Sequence, residues 1–101
     1  MFARIVQVSL KPDSATDATT YFRNSVADAL TDLPGFKNSR FLINSETNQC
    51  MMVTLWESAE ARTNAETNGF LQGVLQDMKP YFAGQPIIDY YEVAVQVVNG
   101  R

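Results

Sequence analysis

The first residues alternate between apolar and polar side chains, which is typical of a β-strand. One side of this predicted strand carries residues spaced two apart: Phe2, Arg4, Val6, Val8 and Leu10. Pro12 ends the pattern because it fixes φ and lacks a backbone N–H. The pattern therefore predicts a first strand over residues 2–10.

The spacing then changes to that of a helix. Asp13 or Ser14 can cap its start. Apolar side chains follow three or four residues apart, as they do on one face of a helix, at Ala18, Phe22, Val26, Leu30 and Leu33. Pro34-Gly35 ends this pattern, so we predict one continuous helix before residue 34.

Two further apolar runs are separated by a polar turn. Residues 36–43 and 49–56 have strand character, and residues 44–48 read Asn-Ser-Glu-Thr-Asn, which predicts an antiparallel hairpin. The second run is apolar on both faces, with Met52, Thr54 and Trp56 on one and Met51, Val53 and Leu55 on the other. Such a strand needs a cover on each face. Helices can supply one cover, and we expect a second copy of the sheet to supply the other.

A second helical region and a last strand complete the chain. Ser58 is a predicted N-cap, and Asn68-Gly69 predicts a break. A second stripe carries Phe70, Leu71, Val74, Leu75 and Met78, and residues 87–98 read as a long final strand. The order β-α-β-β-α-β predicts an α+β, ferredoxin-like fold with an antiparallel sheet. We expect one domain over residues 1–101, frayed at 98–101.

Composition narrows the chemistry. The 101 residues include no His and one Cys, and the net charge is −3. The usual general base and the commonest transition-metal ligand are therefore missing, and a structural zinc site is excluded. Scattered basic residues argue against nucleic acid. The short, alternating N-terminal run is neither a signal peptide nor a membrane span, and a lone cysteine fits a reducing compartment, so we expect a cytoplasmic protein.

Residues 33–93 carry a resemblance to a known family. The features are a Pro-Gly turn before the second strand, a strand ending in Trp-Glu-Ser, a helix opening with Ala-Glu-Ala, and Gly-Gln-Pro before the last strand. In these features the chain resembles the antibiotic-biosynthesis-monooxygenase-like proteins, which are dimeric α/β barrels. The resemblance implies a homodimer and a pocket between sheet and helices in each subunit, with Trp56 matching a tryptophan that lines this pocket in several oxygenases of the family.

The sequence departs from the family where histidines are often found. The matching positions here are Asn64 and Gly69, and the strand-one asparagine of the haem-degrading branch has no counterpart in residues 5–8. These departures argue against haem degradation, and we expect neither cofactor nor metal.

Five residues are candidates for a substrate pocket. Trp56, Met52 and Phe70 can form an apolar wall, while Asn64 or Arg40 can contact a substrate oxygen. Each also has a structural reading. Trp56 can be a core wedge between helix and sheet, Asn64 can simply be exposed, and Arg40 can pair with Glu57 or Asp89 at the sheet edge.

Two functions follow. The first is a cofactor-independent monooxygenase of an electron-rich aromatic such as a quinol or anthrone, although no paired base is evident and no catalytic residue is identified. The alternative is a non-catalytic dimeric module of the same fold that binds a small ligand or has an accessory role.

Overall fold

The computed structural model describes residues 1–100 and confirms the predicted α+β architecture. The strands are β1 (Phe2–Ser9), β2 (Phe36–Asn44), β3 (Gln49–Trp56) and β4 (Ile87–Glu92). The helices are α1 (Ala15–Tyr21), α2 (Ala27–Thr31), α3 (Ala59–Thr67) and α4 (Phe70–Met78). A π-helical turn (Phe22–Val26) joins α1 to α2, and a short 3₁₀ turn (Lys79–Tyr81) follows α4.

The four strands form one antiparallel sheet in the order β2-β3-β1-β4. The register places Arg4 opposite Thr54 on β3 and opposite Tyr90 on β4. Because side chains alternate between the faces of a strand, residues at these three positions lie on one face. The register thus puts Arg4 at the centre of a polar row that crosses three strands.

The two faces of the sheet differ in their cover. The helices pack on the face that carries Val6, Val8, Met52 and Trp56, and these side chains are buried in the core. The other face carries Ile5, Met51, Val53 and Leu55, which stay only half-buried although they lie on the two central strands. β3 is therefore apolar on both faces, but within the single chain the helices cover only one of them.

The helix predicted before residue 34 differs from the expected continuous α-helix. Residues 22–26 form a π turn, which is a local widening of the helix. The buried residues Ala18, Val26 and Leu30 all contribute to the core despite this change. The helical segment ends at Thr31, before Pro34.

The features predicted around the second helical region are confirmed. The Ser58 hydroxyl accepts a hydrogen bond from the Ala61 N–H at 3.1 Å and so caps α3. Gly69 separates α3 from α4 with φ of 88°, a left-handed conformation that glycine adopts readily. The break lets α4 turn its apolar stripe onto the sheet independently of α3.

The last strand is shorter than the predicted residues 87–98. It ends at Glu92, which pairs with Phe2, and the Val93 N–H donates one further bond to the Met1 carbonyl at 2.9 Å. Within residues 1–100, β4 pairs only with β1. Residues 94–100 consequently form no helix or strand, and Val95 and Val97 are 80% and 91% exposed.

Candidate functional site

A small enclosed cavity lies between the sheet and the helices. Met52 on β3, Phe22 and Val26 in the π turn, and Val74 on α4 supply apolar walls, while Arg4 and Thr54 supply polar ones. Its volume of about 20 Å³ leaves room for roughly one water molecule. The position is that of the pocket expected from the family resemblance, but the space is nearly filled by side chains.

Arg4 is the charged residue of this cavity. Its side chain is only 7% exposed, and its Nε donates to the Glu66 carboxylate at 3.1 Å. A buried guanidinium is costly unless it is paired, so Glu66 on α3 stabilises Arg4 in this position. Thr54, which faces Arg4 across the sheet, bonds the Ser39 hydroxyl at 2.9 Å.

Two more side chains complete what we call the Arg4 cluster, defined as Arg4, Arg62, Glu66 and Tyr90. The Tyr90 hydroxyl donates a short hydrogen bond to the same Glu66 oxygen that Arg4 contacts. This bond, and to a lesser extent burial, raises the pKa of Tyr90 because ionisation would place a phenolate against a carboxylate. The Arg62 guanidinium carbon lies 4.5 Å from the centre of the Tyr90 ring, a cation–π contact.

Two buried donors near this cluster lack an acceptor. Among residues 1–100, the buried side-chain nitrogens without a hydrogen-bond partner are Trp56 Nε1 and Arg62 Nε. Trp56 follows Thr54 by two residues on the same face of β3, so it is a diagonal neighbour of Arg4 in the sheet. The region around the Arg4 cluster and Trp56 therefore contains more buried hydrogen-bond donors than acceptors.

The structure separates the five sequence candidates. Met52 lines the cavity. Trp56 is completely buried and packs edge-on against Phe36, with ring centres 5.8 Å apart, in the manner of a core wedge. Phe70 is half-buried at the start of α4 and packs against the core.

The two polar candidates lie outside the cavity. Asn64 is exposed on α3. Arg40 is opposite Val53, on the uncovered face of the sheet, where it bonds Asn38 at 3.2 Å rather than Glu57 or Asp89. An oxygen bound between sheet and helices would thus meet Arg4 instead of Arg40 or Asn64.

The sequence reasoning missed Arg4, Glu66 and Tyr90. A signal existed for Arg4, because it occupies an apolar-side position in the alternation of the first strand. A charge at a position that faces the core needs a partner or a ligand. Nothing in the sequence pattern points to Glu66, because its partner Arg4 lies 62 residues away.

A much larger surface depression lies elsewhere. It is a shallow hollow of about 520 Å³ lined by residues that include Lys11, Lys79 and Phe82. Neither the Arg4 cluster nor the cavity residues contribute to it. An open hollow without buried polar groups is a weaker candidate than the enclosed cavity.

Two further observations concern metal binding and membrane spans. Within residues 1–100, no three His, Cys, Asp or Glu side chains come together in a group suited to a metal ion. No helix of this part of the chain has the length and apolar character needed to cross a membrane.

Comparison with known proteins supports the fold. No family model matches the chain, and no curated protein matches it. Solved structures do match over nearly the whole length. An antibiotic biosynthesis monooxygenase is 11% identical with a TM-score of 0.72, covering 94% of this chain and 100% of the other.

Two further structures contain ligands. The monooxygenase from the gene ActVA-Orf6 of Streptomyces coelicolor, in complex with nanaomycin D, is 15% identical (TM-score 0.76, covering 98% of this chain and 92% of the other). A point mutant of MhuD with two manganese protoporphyrin IX groups bound per active site is 22% identical (TM-score 0.76, covering 98% and 100%). The chain therefore has the fold found in structures named antibiotic biosynthesis monooxygenases.

Proposed function

We propose that the protein is a cofactor-independent monooxygenase that acts on an electron-rich aromatic, of the quinol or anthrone type, between its sheet and its helices. The observation that carries the proposal is the enclosed, mostly apolar cavity with a single guanidinium in its wall. An apolar wall suits an aromatic ring, and a buried cation stabilises an oxyanion. The similar structure of a Streptomyces coelicolor monooxygenase, solved in complex with nanaomycin D, supports a monooxygenase function for this fold.

The proposed reaction needs only the substrate and dioxygen. In an anthrone, loss of a proton from the ring methylene gives an electron-rich anion that reduces dioxygen. One oxygen atom forms the new carbonyl, and the other leaves with the two methylene hydrogens as water. The protein's part is to bind the ring, stabilise the anion and exclude water.

A haem-dependent reaction fits the residues less well. The chain has no histidine to serve as the commonest axial ligand. The porphyrin complex of MhuD therefore does not transfer to this chain as a cofactor assignment.

A non-catalytic ligand-binding module of the same fold is the second candidate. The absence of histidine favours it, because the usual general base is missing. In the enzyme and in the binding module alike, a ring can enter the cavity only if the helices move outward. The π turn and the Gly69 break lie in or beside the segments that would have to move.

We also propose that the protein is a homodimer. The uncovered sheet face carries Val53 at its centre and exposes Leu42, Ile87 and Tyr91 by about half or more of their surface. A second copy can cover the same patch on both subunits about a two-fold axis.

A cytoplasmic location, proposed from composition, fits the free and buried thiol of Cys50.

Oxygen uptake tests the proposed reaction. The wild-type protein is expected to consume oxygen with at least one member of a panel of quinols and anthrones faster than buffer does. Met52→Ala, which enlarges the cavity, is expected to change the rate or substrate preference, whereas Met51→Ala on the opposite face is not. Circular dichroism checks that both variants fold, because truncating a buried Met costs about 2–5 kcal/mol.

Uptake no faster than buffer across the panel would contradict the enzyme proposal. A dialysis experiment with the same compounds then decides for the binding module if the folded protein retains one of them.

A further inference from the structure

The Arg4 cluster contains an excess of positive charge. It holds two guanidinium groups and one carboxylate, and the Arg4–Glu66 pair is the one ion pair within residues 1–100. Arg62 contacts the Tyr90 ring rather than a carboxylate. A cluster of net charge about +1 is thus partly buried under α3, where charges are weakly screened.

The hydrogen bonds of the cluster show the same imbalance. A guanidinium offers five N–H donors; Arg4 uses its Nε on Glu66 and also acts on the Tyr90 hydroxyl, where Glu66 raises the pKa and Arg4 opposes that rise. Arg62 Nε and Trp56 Nε1 are buried without partners. Buried donors are normally satisfied, so the group that this region lacks is an acceptor.

The exposure of the cluster indicates how an acceptor could reach it. Tyr90 lies on the edge strand β4 and is 48% exposed, the Glu66 side chain is 25% exposed, and Arg4 is 7% exposed. These three groups form a connected path from the surface at β4 to the wall of the cavity. Beyond Arg4 the lining is apolar apart from Thr54.

We propose that the Arg4 cluster is an anion-binding site that holds the ionised oxygen of an aromatic ligand, with the ring entering the apolar cavity, which widens from its volume of about 20 Å³ as the helices move outward. The ligand class is therefore a phenolate rather than a neutral phenol or ether. The proposal deepens the proposed function, on which it rests for the choice of an aromatic ring. Arg4 makes the contact, and Glu66 is a positioning residue that occupies Arg4 when the ligand is absent.

Glu66 has two opposing effects in this arrangement. Its carboxylate holds the Arg4 side chain in place, and its negative charge opposes a second anion at the same guanidinium. Replacing it with Gln keeps the shape and removes the charge. An anion should then bind more tightly, which a purely structural ion pair would not predict.

The test uses 4-nitrophenol, whose phenolate absorbs visible light, and 4-nitroanisole, which cannot ionise. The phenolate is expected to bind the wild-type protein about tenfold or more tightly than the neutral phenol. At saturating protein this preference lowers the apparent pKa of 4-nitrophenol by about 1, because a nearby positive charge stabilises the phenolate. 4-Nitroanisole is expected to bind no better than the neutral phenol. The readout is an absorbance titration and needs no turnover.

Four variants assign the effect to residues. Arg4→Met should abolish the preference for the phenolate, and Arg4→Lys should keep part of it. Glu66→Gln should increase the preference further. Arg40→Met is the matched control, because it removes the same charge from the uncovered face of the sheet and should leave the titration unchanged.

Three outcomes would overturn the inference: no binding of 4-nitrophenol by the folded wild type, an unchanged or raised apparent pKa, or a preference that survives in Arg4→Met. If Arg4→Met does not fold, Glu66→Gln decides, and a preference that stays constant or falls contradicts the site. Phenolate binding without oxygen uptake on the panel would uphold the anion site and remove the oxygenase proposal.

Discussion

Arg4 is the residue on which the account of the site depends, and it shows what sequence reasoning can and cannot reach. The alternation of the first strand puts Arg4 on the same side as Val6 and Val8, and in the structure its side chain is 7% exposed. Its partners could not be read from the sequence, because Glu66 and Tyr90 come from a helix and a strand far along the chain. Conversely, Arg40 was a candidate by its residue type, with an ion pair at the sheet edge as its structural reading, and its strand register places it on the other face.

Cys50 illustrates a buried group without a role in the site. Burial raises the pKa of its thiol from 9.0 to about 11, because the thiolate loses hydration, and a hydrogen bond from the Val8 backbone opposes this effect only partly. The fold favours the protonated thiol. Its contribution to stability is thus present below pH 9 and is lost as the pH rises through about 11.

We expect Cys50 to react slowly with a thiol-directed disulfide reagent in the native protein at pH 8. The thiolate is the reactive form, and both its low population and its burial protect it. Reaction in denaturing urea should be much faster, and since the chain has one cysteine the rate reports this residue alone. Equal rates in native and denatured protein would contradict the buried placement.

At the scale of elements, the hydrophobic pattern predicted every strand and helical region but not the details of their geometry. The stripe at Ala18, Phe22, Val26 and Leu30 repeats every four residues, which drifts by about 40° per step on an ideal α-helix. The π turn over residues 22–26 is a local widening that suits such a repeat. The strict spacing of four residues therefore favours a π turn over a continuous α-helix.

The length of β4 could not be predicted from its own sequence. Residues 93–98 read Val-Ala-Val-Gln-Val-Val and have full strand character, yet a strand requires a partner. The partner β1 begins at Phe2, so pairing stops near Glu92. Register with another element, rather than local pattern, sets this boundary.

Three glycines allow a test of the element boundaries. Gly69→Ala should destabilise the protein by about 1–2 kcal/mol, because its φ is positive although no atom crowds the new Cβ. Gly35→Ala should cost more, since φ is also positive and the Cβ would collide with that of Ala61. Gly73→Ala lies within α4 with open space around it and should stabilise by about 0.5–1 kcal/mol.

Urea unfolding measures the three free energies of unfolding. The order of stability is expected to be Gly73→Ala, wild type, Gly69→Ala, Gly35→Ala. A neutral Gly69→Ala would contradict the left-handed joint between α3 and α4.

At the scale of the whole molecule, the chain leaves one sheet face and the valines after residue 93 without a cover. Val53 is half-buried at the centre of this face, and Val95, Val97 and Val98 are mostly exposed. Apolar surface of this extent marks an interaction site. The family resemblance and the apolar pattern of β3 both predict that a second copy covers the sheet face.

Sedimentation equilibrium tests the predicted dimer. The wild-type protein should sediment at twice the mass of one chain. Met51→Asp should shift it towards the monomer, because the dimer would bury a carboxylate whose cross-strand neighbours, Gln7 and Leu42, carry no charge. Asn64→Asp adds the same charge at an exposed helix position and serves as the control. A monomeric wild type at high micromolar concentration would contradict the dimer.

The central claim is that Arg4 stabilises the anion of an aromatic substrate. The most direct test measures oxygen uptake with one anthrone or quinol as substrate and compares the wild type with Arg4→Met and Arg40→Met. We predict that the wild type consumes oxygen faster than buffer does. Arg4→Met should lower the rate about tenfold or more, equivalent to about 1.4 kcal/mol of transition-state stabilisation, and Arg40→Met should change the rate little. Wild-type uptake that does not exceed buffer, or that survives in Arg4→Met, would contradict it.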